Sequence, residues 1–325
     1  MHQIDRPLCS RSPRRTALAL FAALALVLAC GLTACASGTD ASAGGTNDSA
    51  ANNSAAADPA DGTNTADSAD GKTLNVAMEL AYPPFETKDD AGNPEGLAVD
   101  FIRDFGKAYG YDVRIENTAW DGLIPSLQSG KADLVISSMT ITPERLESVD
   151  FSDPYAMAQL AILANAQSGI GSIDDLNQPG KKVAVKTGST GDVYATKNLT
   201  DAEIVRLADE SVCVTEVVQG KADGFLYDQL TIYRNHAANP DTTEAVFIPF
   251  QDAESWGIAV KKGNTELLDQ LNAFIAQSKT DGEFDRLTEK YLSEEKKAFD
   301  QYGFKWFFDF DDTAEPAAPG TTQGD

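Results

Sequence analysis

The sequence predicts an α/β protein made of two similar lobes, and three observations lead to that prediction. Strand-like and helix-like segments alternate from Leu74 onward, which is typical of a largely parallel sheet flanked by helices. The tetrapeptide GKAD occurs at residues 130–133 and again at 220–223, each time between a helix-like segment and an apolar strand. Both of those strands end on polar residues, and open α/β sheets bind ligands beyond the carboxyl ends of their strands.

The individual elements follow from local patterns along the chain. LNVAM and YDVRIEN have the alternation of strands, and ADLVIS has the apolar run of a buried strand. GLAVDFIRDFGKAYG predicts a helix that ends at Gly110, and WDGLIPSLQSG predicts a short helix that ends at Gly130. A further helix over ITPERLES should begin with Thr142 as N-cap and Pro143 in the first turn.

Charge and composition exclude several classes of function. The chain has 325 residues, 26 Lys+Arg against 50 Asp+Glu and a formal net charge of -24, which argues against nucleic-acid binding because that requires a basic face. It has two histidines, and His2 lies in a segment that we expect to be removed. His236 alone cannot supply a multi-histidine metal site, and a histidine-based triad is hard to build. We therefore expect neither a metal nor a cofactor.

The first 34 residues have the parts of a bacterial export signal. A basic start is followed by the apolar run at residues 17–30 and by Leu-Thr-Ala-Cys at 32–35, which resembles a lipobox. We expect cleavage before Cys35 and a lipid on Cys35 that anchors the protein to the outer face of the cell membrane. A single transmembrane anchor is the alternative, for which the apolar run is short. Cys30 is a poorer cleavage site, and the sequence leaves Sec or twin-arginine export open.

Two flanking segments have the composition of disordered chain. Residues 35–72 follow the signal and carry no aromatic or large aliphatic residue before the first strand, so they cannot repay their ordering entropy. We interpret them as a lipid-anchored tether. At the other end, residues 301–325 form an aromatic extension followed by a polar tail. In that extension Phe304, Trp306, Phe308 and Phe310 alternate, which predicts a strand that packs on the first lobe or, as the alternative, a docking patch for a partner.

Several short motifs occur in a characteristic order between residues 73 and 293. They are AYPPFE at 81–86, GLAVD at 96–100, WDGLIP at 120–125, SSMTITPER at 137–145, FSDPY at 151–155, KVAVKTGSTG at 182–191, KAD at 221–223 with Asp228, and DG at 281–282. Together they resemble the bacterial family 3 solute-binding proteins, the polar amino-acid receptors of ABC importers. The resemblance implies a type II periplasmic-binding fold, in which each lobe has a mostly parallel sheet flanked by helices and the ligand binds in the cleft between the lobes.

The resemblance also implies the domain boundaries. The first lobe would be discontinuous, at residues 73–158 and 255–300, and the second would comprise residues 159–254. Two crossing segments, near residues 158–164 and 254–258, would form a hinge. We expect a monomer whose partners are an L-amino acid and the permease subunits of an ABC transporter.

By position in the motifs, the resemblance assigns roles to particular residues. Arg145 would hold the ligand α-carboxylate with its planar two-donor fork, and Asp228 would hold the α-ammonium. The complete set of expected ligand-binding residues is Glu79, Tyr82, Trp120, Ser138, Met139, Thr140, Arg145, Lys186, Ser189, Thr190 and Asp228. Tyr82 and Trp120 would cover the side chain, while Ser189 and Thr190 lie in a glycine-rich turn before a helix.

Each of these residues also has a purely structural alternative. Arg145 could pair with a neighbouring glutamate on a surface helix, and Asp228 could cap the helix that follows it. Tyr82 and Trp120 could be core aromatics. Glu79 and Lys186 could form a structural ion pair instead of lining the side-chain pocket.

The function that the resemblance implies is transport without catalysis. If Glu79 offers only acceptors and Lys186 only donors to the side chain, an amide satisfies both, so glutamine ranks first, basic amino acids second, and glutamate or aliphatic residues last. The alternative is an enzyme on the same fold, similar to the cyclohexadienyl dehydratases that act on prephenate or arogenate. Those enzymes keep a carboxylate-binding arginine, so Arg145 does not separate the two hypotheses.

Overall fold

This computed structural model describes residues 72–247, 249–302 and 305–310, and the description of the molecule covers those residues. The signal sequence, Cys35, the tether up to residue 71 and the tail from residue 311 lie outside them, as does Phe304. None of the described helices has both the length and the apolar character needed to cross a membrane.

The described residues form fourteen strands, most of them short. They are β1 (Lys72–Met78), β2 (Thr87–Lys88), β3 (Pro94–Glu95), β4 (Tyr111–Asn117), β5 (Leu134–Val135), β6 (Val149–Phe151), β7 (Ala156–Ala158), β8 (Leu160–Asn165), β9 (Lys182–Lys186), β10 (Glu203–Leu207), β11 (Gly224–Asp228), β12 (Thr243–Val246), β13 (Glu254–Trp256) and β14 (Ala259–Lys261). The first strand begins at Lys72, one residue inside the segment that we expected to be tether, because Lys72 pairs with Tyr111 on β4.

Ten α-helices alternate with these strands in the described part of the chain. They are α1 (Leu97–Tyr109), α2 (Leu123–Ser129), α3 (Pro143–Leu146), α4 (Ile173–Leu176), α5 (Thr190–Asn198), α6 (Glu210–Val218), α7 (Gln229–Ala238), α8 (Thr265–Ser278), α9 (Glu283–Tyr291) and α10 (Ser293–Tyr302). A 3₁₀ turn at Trp120–Gly122 precedes α2. Gly110 and Gly130 end α1 and α2 in the left-handed conformation, and Thr142 caps α3, as the sequence predicts.

Two five-stranded sheets have the same topology. Their orders are β4-β1-β5-β14-β6 and β10-β9-β11-β8-β12. In each sheet four strands run in one direction and one strand, β14 or β8, runs in the opposite direction. The mostly parallel two-lobed α/β fold is therefore confirmed, and the fourth position in each sheet is taken by the antiparallel strand.

The repeated GKAD tetrapeptide makes the same contacts in both lobes. Its aspartate precedes the third strand of each sheet order, β5 or β11, and accepts a hydrogen bond from the neighbouring second strand, β1 or β9: Asp133 Oδ2 from the Asn75 N–H at 2.7 Å, and Asp223 Oδ2 from the Lys182 N–H at 2.8 Å. In return, the N–H of each aspartate donates to the carbonyl of the same partner residue, at 2.8 Å in both lobes. The tetrapeptide thus fixes the alignment of β5 with β1 in one sheet and of β11 with β9 in the other.

The core of the first lobe is built by α1 and α8–α10 on the first sheet. Phe101, Ile102 and Phe105 of α1 are fully buried in this core. Gly106 is required where α1 crosses β4, because a Cβ at that position would lie 2.3 Å from Val113 Cγ2.

A two-stranded antiparallel ribbon of β7 and β13 connects the two lobes. The second crossing matches the expected segment at residues 254–258, but the first differs from expectation. Leu160–Asn165, most of which we expected to be hinge, is β8 and lies between β11 and β12 in the second sheet. Its first five residues are buried, which explains why it belongs to a core and not to a hinge.

The expectation of a strand in the C-terminal extension is wrong for the described residues 305–310. Trp306 and Phe307 are adjacent and both buried, at 4% and 0% exposure, whereas a strand would turn them to opposite faces. A turn forms here because the Asp309 N–H donates to the Trp306 carbonyl at 3.1 Å. The Phe307 ring packs on Phe85 and Trp256 of the first lobe. These contacts favour the interpretation of a packing segment and not that of a docking patch.

Candidate ligand-binding site

A narrow cavity of about 40 Å³ lies between the two lobes. Side chains from both sheets and from the connecting ribbon line it: Glu79, Tyr82, Glu86, Trp120, Ser137, Ser138, Thr140, Arg145, Leu160, Ser189, Thr190, Tyr227, Asp228, Glu254 and Trp256. Nine of the eleven residues expected from sequence are among them, and Met139 and Lys186 are not.

The cavity lies at the carboxyl ends of four parallel strands. Glu79 follows β1 and Ser137–Thr140 follow β5 in the first lobe, while Ser189 lies shortly after β9 and Asp228 ends β11 in the second. Because parallel strands end at the same edge of a sheet, these polar residues converge. This shared edge explains how residues far apart in the chain meet in one cavity.

A larger cavity of about 250 Å³ lies elsewhere, against β7, β8 and the C-terminal segment. Its wall is mostly apolar and includes Met157, Leu160 and Phe310. We assign the ligand site to the narrower cavity, because that cavity brings buried groups of both signs together at the strand ends.

Asp228 serves both as a helix cap and as part of the cavity wall. Its Oδ1 accepts from the N–H groups of Leu230 and Thr231, at 2.9 and 3.2 Å, in the first turn of α7. The same oxygen accepts from the Tyr82 hydroxyl at 2.7 Å, which joins the second lobe to the first. Burial raises the pKa of Asp228, and these hydrogen bonds act against that rise.

Arg145 points into the cavity instead of outward along α3. Its Nη1 donates to the Thr140 carbonyl at 2.6 Å, and its Nη2 donates across the cleft to the Gly188 carbonyl at 3.2 Å. The guanidinium carbon lies 5.3 Å from the centre of the Trp120 ring. This packing and these bonds fix the plane of the guanidinium, so its two-donor fork is held in place.

Glu79 and Lys186 bind each other directly across the cleft. Lys186 ends β9, is only 4% exposed and also lies 5.1 Å from the centre of the Trp120 ring. The ion pair that we held as an alternative is therefore present, although the Glu79 side chain still lines the cavity. Lys186 lies behind Glu79 and does not line the cavity wall.

The polar turn after β5 presents hydroxyl groups towards the cavity. Ser138 has a positive φ of 46°, an uncommon conformation for a residue other than glycine, and its hydroxyl donates to Glu86 Oε2 at 3.1 Å. The hydroxyl of Ser137 accepts from the Glu79 N–H at 3.0 Å. Met139 follows Ser138 in sequence but is 1% exposed and belongs to the core around Leu123.

The glycine-rich turn before α5 contributes from the second lobe. Ser189 caps α5 by accepting from the Asp192 N–H at 3.2 Å. The Thr190 hydroxyl donates to Glu254 Oε2 at 2.8 Å. Gly191 allows α5 to pack closely on β11, because a Cβ there would lie 2.4 Å from the Leu226 carbonyl oxygen.

Sequence reasoning did not place six of the wall residues in the binding site. They are Glu86, Ser137, Leu160, Tyr227, Glu254 and Trp256. Glu86 is part of the quoted AYPPFE motif, and Ser137 and Tyr227 are at the strand ends, so these three carried a usable signal. Glu254 was considered only as part of the crossing segment.

The cavity wall has more carboxylates than cations. Glu79, Glu86, Asp228 and Glu254 face it, whereas Arg145 is the cation in its wall and Lys186 lies behind Glu79. Glu86 is 1% exposed, and burial raises its pKa well above the usual value. Burial likewise raises the pKa of Glu254 against three hydrogen bonds and the charge of Arg145. Among the described residues, no cluster of acidic, histidine or cysteine side chains is arranged to hold a metal ion.

His236 does not belong to this cavity. It lies on α7, where its Nδ1 is 3.2 Å from the Thr243 hydroxyl on β12. The wall therefore offers carboxylates, hydroxyls, one guanidinium and aromatic rings. This set offers partners for both charged groups of a small zwitterion.

Two lobes of equal topology, a connecting ribbon and a charged cleft at the strand ends define a type II periplasmic solute-binding protein. The chain belongs to the bacterial extracellular solute-binding proteins, family 3, whose model matches residues 74–294. A probable histidine-binding protein of Neisseria gonorrhoeae is 34% identical over 228 residues, which are 69% of this chain and 85% of that protein.

Solved structures with the same fold include two reconstructed ancestral proteins. An ancestral arginine-binding protein bound to arginine is 38% identical with a TM-score of 0.63, over 68% of this chain and 98% of the other; a structure of such a protein bound to glutamine gives the same values. The ancestral amino-acid-binding protein AncCDT-1, a precursor of cyclohexadienyl dehydratase, is 39% identical with a TM-score of 0.62, over 68% of this chain and 95% of the other.

Proposed function

We propose that this protein captures an L-amino acid with a cationic side chain outside the cell and delivers it to the permease of an ABC importer. The excess of carboxylates in the cavity wall carries the proposal: four face the cleft, and one of them already neutralises Lys186. A neutral zwitterion leaves this excess unchanged, whereas a cationic side chain reduces it. Buried charges of one sign are costly unless they are paired.

The order of ligands differs from the one that the sequence favours. Glutamine ranked first because Glu79 and Lys186 were both expected to meet the side chain. In the structure they bind each other, and Glu86 adds a carboxylate that the sequence argument did not include. We therefore place arginine, lysine and histidine first and glutamine second.

The α-carboxylate of the ligand would bind at Arg145. A ligand carboxylate would take over the Nη2 N–H that now bonds the Gly188 carbonyl at 3.2 Å and would accept from one further guanidinium N–H, while the bond to Thr140 keeps the guanidinium oriented. Charge-assisted pairs of this planar kind are among the stronger hydrogen-bonded contacts in proteins. Ser189 and Thr190, at the start of α5, line the cavity from the second lobe.

The α-ammonium would lie between Asp228 and the polar turn after β5. Asp228 uses Oδ1 for its contacts with Tyr82 and α7, and its carboxylate is buried in the cavity wall. The Ser138 carbonyl and the Thr140 hydroxyl would be further acceptors. The side chain would then extend towards Glu86, between the rings of Tyr82 and Trp120, where a cation can also interact with the aromatic faces.

Capture requires the lobes to open and close. Tyr82–Asp228, Arg145–Gly188 and Glu79–Lys186 all join one lobe to the other, so the structure has a closed cleft. A cavity of about 40 Å³ is too small for free entry of an amino acid, so the ligand must enter an opened cleft. The β7–β13 ribbon would be the hinge for this movement.

The mode of delivery rests on the family and on the N-terminal sequence. Relatives bind amino acids, and the family is extracellular. We propose that the lipid on Cys35 and the tether hold a monomeric receptor close to the permease, and that it performs no catalysis. A dehydratase is the second candidate, favoured by the structural similarity to the precursor AncCDT-1.

A thermal-shift screen against the twenty L-amino acids tests the proposed function. A ligand that binds only the folded state raises the unfolding temperature by mass action. We expect the largest shifts with arginine, lysine or histidine, and a smaller one with glutamine. A largest shift with glutamate, aspartate or leucine would contradict the proposal.

The variant Glu86→Gln tests whether the excess of carboxylates in the cavity wall selects cationic ligands. It should reduce the shift with the cationic ligands more than the shift with glutamine. A bound cation stabilises the ionised form of Glu86, whose pKa burial raises, and glutamine at this position cannot ionise. Glu116→Gln is the matched control, since Glu116 is an exposed carboxylate on β4. An equal decrease in the thermal shift for cationic and neutral ligands would show that Glu86 does not select the charge of the ligand.

A further inference from the structure

Glu254 connects the two lobes from the ribbon that joins them. Its Oε2 accepts from the Thr140 hydroxyl of the first lobe and from the Thr190 hydroxyl of the second, both at 2.8 Å. Its Oε1 accepts from the Gln251 side-chain amide at 2.8 Å. Thr140 and Thr190 can reach the same oxygen only when the lobes are together.

These bonds fix the direction in which each hydroxyl can act. An ionised carboxylate accepts hydrogen bonds and cannot donate them. Thr140 and Thr190 each have one hydroxyl proton, and both protons are directed at Glu254. Both hydroxyls therefore present only lone pairs to the cavity, which suits an ammonium group and opposes a second carboxylate.

We propose that Glu254 is a positioning residue, which orients the hydroxyls of Thr140 and Thr190 as acceptors for the ligand α-ammonium. This inference rests on the proposed function, the capture of an amino acid. It adds that selection of the ammonium is coupled to lobe closure, because the two oriented hydroxyls belong to different lobes. Glu254 acts through them and does not itself contact the ligand.

Two other roles of Glu254 give different results in a binding experiment. If Glu254 only stabilises the fold, its replacement lowers the affinity for every ligand by the same factor. If Glu254 contacts the ammonium directly, its replacement acts whether or not the threonine hydroxyls are present. If it orients the hydroxyls, its effect requires both the ammonium and the hydroxyls.

The experiment compares arginine with an analogue in which hydrogen replaces the α-amino group, using calorimetry on the full chain. Glu254→Gln keeps the volume of the side chain but adds an N–H donor, which forces a hydroxyl to turn. We expect it to weaken arginine binding by about tenfold or more, the equivalent of one hydrogen bond to a charged group, with a change below about threefold for the analogue. Glu244→Gln, an exposed carboxylate on β12, is the matched control.

The same Glu254 replacement in a protein without the two threonine hydroxyls distinguishes orientation of the hydroxyls from direct contact with the ligand. In a Thr140→Val/Thr190→Val protein, Glu254→Gln should leave the ratio of the two affinities unchanged. A further fall in the ratio of arginine affinity to analogue affinity would show direct contact and overturn the proposal. Equal loss of affinity for both ligands in the Glu254→Gln single variant would show a purely structural role and would also overturn it. If Glu254→Gln does not fold, Thr140→Val and Thr190→Val together should still lower the ratio, and an unchanged ratio overturns the proposal. If the wild type binds no amino acid, the proposed function has failed instead.

Discussion

Replacement of Arg145 by alanine should remove most of the affinity for the amino acid while both lobes remain folded. The guanidinium makes two hydrogen bonds, to the Thr140 and Gly188 carbonyls, and it would offer its fork to the ligand carboxylate. Each hydrogen bond to a charged group contributes roughly 1.5–3 kcal/mol, so two of them give at least about 3 kcal/mol. That loss corresponds to more than about 100-fold in affinity.

The fold should tolerate this change because Arg145 lies on the short helix α3, whose cap is Thr142. Calorimetric titration measures affinity, and circular dichroism verifies the fold. Arg145→Lys keeps the charge but loses the planar fork, so its affinity should fall between those of the wild type and the alanine variant. Arg114→Ala removes an exposed arginine on β4 and serves as the control. Binding by Arg145→Ala within tenfold of wild type would refute the assignment.

Three further predictions concern the anchor, the chemistry and the response to pH. Cys35→Ser should move the protein from the membrane fraction to the medium, and equal partitioning of both forms would show that Cys35 carries no lipid. Prephenate or arogenate should yield no phenylpyruvate or phenylalanine by product analysis; sustained turnover that Glu79→Gln abolishes would instead establish a dehydratase. Burial raises the pKa of Glu210 to about 8, so the folded state holds this proton more tightly than the unfolded state, and the resulting stability is lost as pH rises through that value. The unfolding temperature of Glu210→Gln, relative to that of the wild type, should therefore be higher at pH 8.5 than at pH 5. The same difference in unfolding temperature at both pH values would contradict this.

The elements that could be predicted from sequence are those with local causes. Thr142 and Pro143 begin α3, and Gly110 ends α1, because capping depends on a few neighbouring residues. The GKAD repeat predicts two lobes of one topology because its aspartate has the same role in each sheet. The carboxyl ends of parallel strands lie at the same edge of a sheet, so the residues that follow these strands converge. Most residues of the cavity wall could therefore be predicted from the positions of the strand ends.

The remaining features depend on contacts between distant parts of the chain. Glu254 enters the cavity only because β13 pairs with β7 beside the turn that carries Thr140. Lys186 has the sequence position of a wall residue, but its ammonium donates to the Glu79 carboxylate and it is not among the residues that line the cavity. Phe307 interrupts the alternating pattern of the C-terminal segment, and its burial depends on the rings of the first lobe.

Ligand affinity in this protein should depend on how many closed-state contacts the ligand replaces. Tyr82–Asp228 and Glu79–Lys186 cross the cleft directly, and Glu254 joins the lobes through two hydroxyls. These contacts stabilise the closed form, and a ligand shifts the equilibrium only by its differential affinity for the two forms. Outside the matched family region, the Phe307 carbonyl accepts from the Met157 N–H of β7 at 2.7 Å and joins that connecting strand to the C-terminal segment. The C-terminal segment therefore belongs to the structure that positions the cleft, and under the proposed function selectivity would come from the positive charge that the ligand brings to the cavity wall.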